Sequence, residues 1–166
     1  QIFGATTAGQ LIAGEIEEGS IVMLLLDINP DYFKIEFLET SQETAFEDGT
    51  NLGITGKETF TKPAFIIANS GVALDGEPFV EGIIQGFGKP SSQTDGEVDI
   101  FGGKAADDLA LESTFVFTNG KSSNKALLAL IIDEDKIDVR GIATCGWQAI
   151  GTTKTVTKSK GNIIYT

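Results

Sequence analysis

Two short and similar stretches carry the residues best suited to hold a small molecule. Residues 2–9 (IFGATTAG) are similar to residues 100–107 (IFGGKAAD), and both place glycine after an apolar pair. A strand that ends in small residues lets backbone N–H groups face a cavity, where they can bind a carboxylate. The candidate ligand-binding residues of the two stretches are Thr6, Thr7, Gly102, Gly103 and Asp107.

These residues have distinct roles in the predicted site. The N–H groups of Gly102 and Gly103 would bind a carboxylate of the ligand. A threonine hydroxyl would donate a hydrogen bond, and the Asp107 carboxylate would accept one from an amine of the ligand. The alternatives are structural: the glycines serve a tight strand exit, and Asp107 with Asp108 caps a turn. Asn69-Ser70-Gly71, which ends another apolar run, is either a further pocket edge or a plain turn.

Trp147 completes the predicted ligand-binding set. It is the only tryptophan and lies in the glycine-bounded segment 146–151, where it either lines the pocket or fills the edge of the core. Nearby Cys145 is the only cysteine, and neither Lys nor Arg adjoins it. We therefore interpret Cys145 as a buried structural thiol rather than a nucleophile.

Composition excludes several classes of function. The chain has 166 residues and no histidine, which excludes a Ser-His-Asp triad, a Cys-His dyad and histidine-bound zinc. A net charge of −12 opposes binding to the phosphate backbone of nucleic acids. The apolar runs 21–26 and 126–132 are far shorter than the roughly 20 residues that span a bilayer, so we expect no membrane partner.

Short apolar runs bounded by Gly, Asn, Asp and Ser predict a chain rich in strands. The predicted strands cover residues 20–27, 31–39, 63–69, 98–102, 113–119, 125–133, 136–145, 154–158 and 162–165. Asn119-Gly120 predicts a hairpin, and residues 133–135 predict a turn. Apolar residues at helical spacing predict one helix over residues 75–88. Residues 41–62, polar and rich in glycine, predict a long connection, and residues 89–97 predict a loop.

This pattern predicts a mixed α/β (α+β) domain with mostly antiparallel strands and at least one helix covering a sheet. A β-sandwich decorated by the helix is the alternative. The two similar stretches also suggest an internal duplication of a strand–helix–strand–loop–strand unit, whose first copy lacks its beginning.

An ordered series of motifs resembles the FIST N domain family, and the resemblance covers nearly the whole chain. The matching pieces are residues 2–9, 100–103 with 106–107, 114–120 (TFVFTNG), 146–151 (GWQAIG), 155–158 (TVTK) and 161–162. The resemblance implies a cytoplasmic sensory domain of bacterial signal transduction that binds a small, amino-acid-like ligand. The family's opening strand and helix, and the C-terminal FIST module that usually follows, have no counterpart here. We therefore expect residues 1–166 to be one domain of a longer chain, whose remainder is its partner.

Three classes of function stay open from the sequence. The first is a non-catalytic sensor of a small amino-acid-like or carboxylate ligand. The second is a hydrolase or acyl-transfer enzyme with a Ser or Thr nucleophile, activated by a Lys or a carboxylate. The third is a structural or partner-binding module, in which the glycine-rich stretches serve packing alone.

The lack of histidine generates a first prediction, which is that the chain takes no metal or haem cofactor. We expect metal analysis of the purified chain to find no stoichiometric zinc, because one cysteine and no histidine cannot form a structural zinc site. Addition of haem should produce no Soret band typical of tight binding. Either signal would contradict the prediction, and a Soret band would direct attention to Tyr32, Tyr165, Met23 or Cys145 as the axial ligand.

Overall fold

The computed structural model describes residues 1–88, 98–108, 110–143, 146, 148–160 and 163–165. In chain order its elements are β1 (Phe3–Ala5), β2 (Gln10–Ile12), β3 (Glu15–Glu17), a 3-10 turn (Pro30–Tyr32), β4 (Phe33–Glu39), α1 (Ala45–Thr59), β5 (Pro63–Asn69), α2 (Glu77–Phe87), β6 (Asp99–Lys104), β7 (Val116–Thr118), β8 (Lys121–Ser123), β9 (Ala126–Asp133), β10 (Ser159–Lys160) and β11 (Ile163–Ile164).

A four-stranded sheet in the spatial order β4-β9-β5-β6 organises these elements. Strand β9 is antiparallel to both β4 and β5, whereas β5 and β6 are parallel. The two inner strands are nearly continuous apolar runs, as expected of strands that are buried on both faces. The predicted strands at 31–39, 63–69, 98–102 and 125–133 correspond to these four strands.

Helices α1 and α2 cover one face of this sheet. Leu52 of α1 and Phe79 and Ile83 of α2 are buried in one cluster with Phe65 of β5 and Leu127 of β9. The apolar spacing that predicted a helix over residues 75–88 therefore describes the face of α2 that packs on the sheet. Gly88, with φ of +92°, follows the last turn of that helix.

Helix α1 corrects the expectation of a long connection over residues 41–62. Its glycines lower intrinsic helix propensity, so the sequence pattern did not indicate a helix. The same glycines let α1 approach α2 backbone to backbone: a Cβ on Gly53 would collide with the carbonyl of Ile83, and one on Gly86 with the carbonyl of Thr50. Packing against α2 thus favours a helix that local propensity disfavours.

A three-stranded antiparallel sheet, β1-β7-β8, contributes to a second cluster. Phe3 of β1 and Val116 of β7 pack in that cluster with Ala68 and Leu128 of the central sheet. The predicted Asn119-Gly120 hairpin is present between β7 and β8, and Gly120 has the left-handed φ of +68°. Helices on a mixed sheet confirm the α+β prediction, and the decorated β-sandwich is not the observed architecture.

Three predicted strands are not formed in the described residues. Residues 20–27 have no regular structure, and the six apolar side chains from Ile21 to Leu26 are 42% to 90% exposed. Residues 136–143 and 154–158 are also outside any strand. An apolar run becomes a strand only when a partner strand pairs with its backbone, and sequence pattern does not show whether that partner exists. The predicted loop at residues 89–97 lies outside the described residues.

The two similar stretches lie in different sheets. Residues 3–5 form β1 of the three-stranded sheet, and residues 100–104 belong to β6 of the central sheet. Both are strands, and the duplication stays a prediction.

Replacement of Gly86 by alanine tests the helix contact. Intrinsic propensity alone would stabilise the helix by about 1 kcal/mol. We expect Gly86→Ala instead to lower the free energy of unfolding by about 1–3 kcal/mol, because its methyl group would collide with the backbone of α1. Urea denaturation measures the change. Gly103→Ala is the matched control, because no described residue other than its two chain neighbours has an atom within 4 Å of the added Cβ. A Gly86→Ala protein at least as stable as the parent would contradict the close helix contact.

Candidate ligand-binding site

The carboxyl ends of β5 and β6 form one edge of the central sheet. The two strands are parallel, and Asn69 at the end of β5 is the register partner of Lys104 at the end of β6. Helix α2 connects them, so its N-terminus lies at the same edge. We call residues 69–76 and 104–107 the β5–β6 edge. In sheets with parallel strands, ligands commonly bind outside the carboxyl ends.

The first of the two similar stretches also reaches this edge. The Ala106 N–H donates to the Thr6 carbonyl at 2.9 Å, and the Ala105 N–H donates to the Asn69 carbonyl at 2.7 Å. Thr6 is held in turn by Phe115, whose N–H donates to Thr6 Oγ1 at 3.0 Å. The structure therefore brings together the residues that follow β1 and β6, as the sequence predicted. Whether they bind a ligand stays a prediction.

Two buried hydroxyls hold the loop that follows β5. Thr114 Oγ1 accepts from the N–H groups of Gly71 at 2.7 Å and Val72 at 3.3 Å. Ser70 Oγ accepts from the Ala126 N–H at 3.1 Å and donates to the Ala126 carbonyl at 3.3 Å. Both side chains are buried, so these bonds fix the loop in a water-excluded environment. Sequence reasoning noted Ser70 but missed Thr114, whose partners are more than forty residues away.

Thr7 and Asp107 already have protein partners. Exposed Thr7 accepts a hydrogen bond from Gln10 Nε2 at 2.7 Å. The Asp107 carboxylate accepts from the N–H groups of Leu111 at 3.2 Å and Glu112 at 3.1 Å. Asp107 thus closes the loop that follows β6, as the structural alternative expected. A carboxylate has about four acceptor positions, so these two bonds leave room for an amine.

Gly102 and Gly103 lie inside β6, which corrects the expectation that they form a turn. They are the register partners of Ile67 and Ala68. Gly102 has a φ of +132°, and a Cβ there would collide with the Ile67 carbonyl, so its backbone path requires glycine. Gly103 has open space around it. Trp147 and Cys145 lie outside the described residues.

Asn69 has an unsatisfied side chain at this edge. The residue is 3% exposed, and its Nδ2 is buried with no hydrogen-bond partner among the described residues. Its Oδ1 lies 3.7 Å from the position that a Cβ of Gly76, the N-cap residue of α2, would take. Lys104 beside it is exposed and makes no ion pair with any described residue.

A wide cleft of about 550 Å³ lies elsewhere, beside β4 and the β7–β8 hairpin. Its lining residues are Phe37, Glu39, Gly120, Lys121 and Ser122. None belongs to the predicted set, and Lys121 Nζ lies 5.8 Å from the centre of the Phe37 ring. We therefore place the candidate site at the β5–β6 edge, which contains Asp107 and where Ala106 is bonded to Thr6.

The described part of the chain holds neither a cluster of metal ligands nor a membrane-spanning helix. No group of three or more His, Cys, Asp or Glu side chains there could hold a metal ion. None of the helices in the described ranges has both the length and the apolarity required to span a bilayer.

The fold is that of an α+β domain with two helices on a mixed sheet. The family model of the FIST N domain matches residues 1–166, and the chain therefore belongs to the FIST N domain family. This family is described as a sensory domain of signal transduction. Neither the search of curated proteins nor the search of solved structures found a match.

Removal of the Thr114 hydroxyl tests the hydrogen bonds that hold the edge. Thr114→Val keeps the shape of the side chain but leaves the N–H groups of Gly71 and Val72 without their acceptor. We expect the free energy of unfolding to fall by about 1–3 kcal/mol. Amide hydrogen exchange of Gly71 and Val72 should also accelerate. Thr114→Ser retains the oxygen and should preserve the slow exchange; equal exchange in all three proteins would contradict the assignment.

Proposed function

We propose that residues 1–166 form a cytoplasmic sensory domain of bacterial signal transduction that binds a small amino-acid-like or carboxylate ligand without catalysis. Family membership over the whole chain supports the sensory role. The single observation that carries the proposed location is the bond between Ala106 N–H and the Thr6 carbonyl, which joins the two similar stretches.

The chemistry of the converging residues supports such a ligand. Thr6 accepts a hydrogen bond from Phe115 through its hydroxyl oxygen, which leaves the hydroxyl proton to donate. Thr7 is exposed, and Asp107 keeps acceptor capacity for an amine. Gly103 offers open space in which a ligand can approach the backbone. Trp147, which lies outside the described residues, stays a predicted member of this set.

Ligand binding at this edge would connect two sheets. Thr6 follows β1 of the three-stranded sheet, whereas Asp107 follows β6 of the central sheet. A ligand that contacts both would favour one relative arrangement of these segments. The remainder of a longer chain, either a C-terminal FIST module or an output domain, is the proposed partner that detects this change.

The enzyme alternative receives no support from the buried hydroxyls at the edge. Both Ser70 and Thr114 are buried and already bonded to backbone groups. Such hydroxyls hold structure, and attack on a substrate would require breaking those bonds.

A thermal-shift screen with the twenty amino acids and a set of small carboxylates tests the proposal. A ligand that binds the native state should raise the melting temperature in proportion to the logarithm of its concentration above Kd. Calorimetry with the strongest ligand should then show about tenfold weaker binding for Thr7→Val and Asp107→Asn. Thr61→Val removes an exposed threonine just before β5, at the opposite edge of the sheet, and should bind like the parent.

Four outcomes would contradict the proposal in different ways. No shift with any compound would exclude this class of ligand. Turnover of a chromogenic ester would favour the hydrolase, and no response in either assay would favour a partner-binding module. Unchanged affinity in both folded variants would place the site elsewhere.

A further inference from the structure

Two segments of the chain are exposed along almost their whole length and carry opposite charges. We call residues 11–27 the acidic segment and residues 141–165 the basic segment. The acidic segment contains four carboxylates and no basic residue, whereas the basic segment contains three lysines and no carboxylate. All described residues of both segments are exposed except Ser20, which is half-buried. No ion pair among the described residues involves any of these charged side chains.

The acidic segment contains an apolar run that no described strand covers. The side chains of residues 21–26 (IVMLLL) are 42% to 90% exposed. Their backbone N–H and C=O groups make no hydrogen bond with any described residue, and none of the described strands pairs with them. A row of free backbone groups with apolar side chains is a template for an added strand. The run therefore has both features that pairing with another strand requires.

The basic segment contains a hairpin that lacks a third strand. Strands β10 and β11 pair through only two residues each, and a hairpin of this size is marginally stable by itself in water. On its other side β11 pairs with no described strand, and Ile163 and Ile164 are both more than half exposed. An added apolar strand would cover these side chains and complete a three-stranded sheet.

The charges that border the run and the hairpin are complementary. Glu18 precedes the run and Asp27 follows it, whereas Lys158 adjoins the hairpin and Lys160 belongs to it. Opposite charges on neighbouring strands stabilise their pairing, and like charges destabilise it. Two copies of the run would bring carboxylates together, because the run has carboxylates at both ends. The hairpin is therefore a better partner for the run than the run of a second copy.

Within one copy, the two segments adjoin opposite edges of the central sheet. The acidic segment leads into β4. Gly141, the first residue of the basic segment, lies against β6, where a Cβ on Gly141 would collide with the Phe101 ring. Strands β4 and β6 are the two outer strands, separated by three strand spacings or about 14 Å. This placement favours a contact between copies over a contact within one copy.

We propose that the acidic segment of one copy binds the basic segment of a second copy, with residues 21–26 added as a strand to the β10–β11 hairpin. Two such contacts, one in each direction, join a pair of copies around a two-fold axis. Burial of the apolar run supplies the attraction, and the opposite charges select this pairing. The inference goes beyond the proposed function, because it concerns assembly of the domain and uses none of the residues of the β5–β6 edge.

Sedimentation equilibrium of the chain over a range of concentrations tests the assembly. We expect a reversible change from the mass of one chain to the mass of two as the concentration rises. Salt screens the charges, so the dissociation constant should rise several-fold between low salt and 1 M, where the Debye length is about 3 Å. A single-chain mass up to the solubility limit would overturn the proposal.

Two charge-reversed variants identify the surfaces that meet. Glu17→Lys/Glu18→Lys reverses part of the acidic segment, and Lys158→Glu/Lys160→Glu reverses part of the basic segment. All four side chains are exposed, so both proteins should fold, which circular dichroism verifies. Each variant alone brings like charges together and should associate at least about tenfold more weakly. An equimolar mixture should associate again, because each reversed segment then meets one of opposite charge.

Matched controls separate this contact from general effects of charge and polarity. Glu58→Lys/Glu81→Lys reverses two exposed carboxylates on the helices, so the net charge changes equally and association should match that of the parent. Leu24→Asn places an amide in the apolar run and should weaken association by about tenfold. Leu111→Asn changes a similarly exposed leucine outside both segments and should have no effect.

Three results would overturn the proposal even if the chain dimerises. Association that survives Lys158→Glu/Lys160→Glu would place the contact elsewhere. Reversed variants that stay monomeric when mixed would exclude reciprocal pairing of the two segments. Equal weakening by Glu58→Lys/Glu81→Lys would attribute the effect to net charge alone.

Discussion

The backbone contact between α1 and α2 is the constraint on which the rest of the structure depends. At Gly49, Gly53, Gly82 and Gly86, a Cβ would meet the main chain of the other helix. Only without side chains at these positions can the helices lie this close together. Their apolar residues then share one face of a four-stranded sheet, where they bury Phe65 and Leu127. Because α2 joins the parallel strands β5 and β6, the same contact places the start of α2 at the polar edge.

At the β5–β6 edge, the buried hydroxyls of Ser70 and Thr114 are both hydrogen-bonded to backbone groups. Thr114 satisfies two N–H groups of the loop after β5, and Ser70 satisfies both polar groups of Ala126. These bonds connect residues from β5, β9 and the segment before β7, so they join the two sheets at one point. These buried hydrogen bonds hold the neighbouring polar residues, among them Asn69 and Thr6, in a defined arrangement.

The proposed sensory role rests on family membership and on the polar groups of this edge. The described residues at the edge provide hydrogen-bond donors, one free lysine and a helix N-terminus, which are groups that bind and orient a ligand. Membership of the FIST N domain family accords with that role in signal transduction.

The sequence by itself determined the elements whose burial follows a local period. Strands β5 and β9 and helix α2 were predicted close to their observed bounds, and the similarity of two stretches indicated that Thr6 and the residues after β6 would meet. Tertiary structure decided the rest. Helix α1 forms despite its low helix propensity because its glycines allow it to pack closely against the backbone of α2. Residues 20–27 are not a strand because none of the described strands pairs with them. Thr114 holds the edge only through bonds to residues more than forty positions away, which no local pattern indicates. Local periodicity records which face of an element is buried, whereas strand pairing and the partners of buried polar groups depend on residues far apart in the chain.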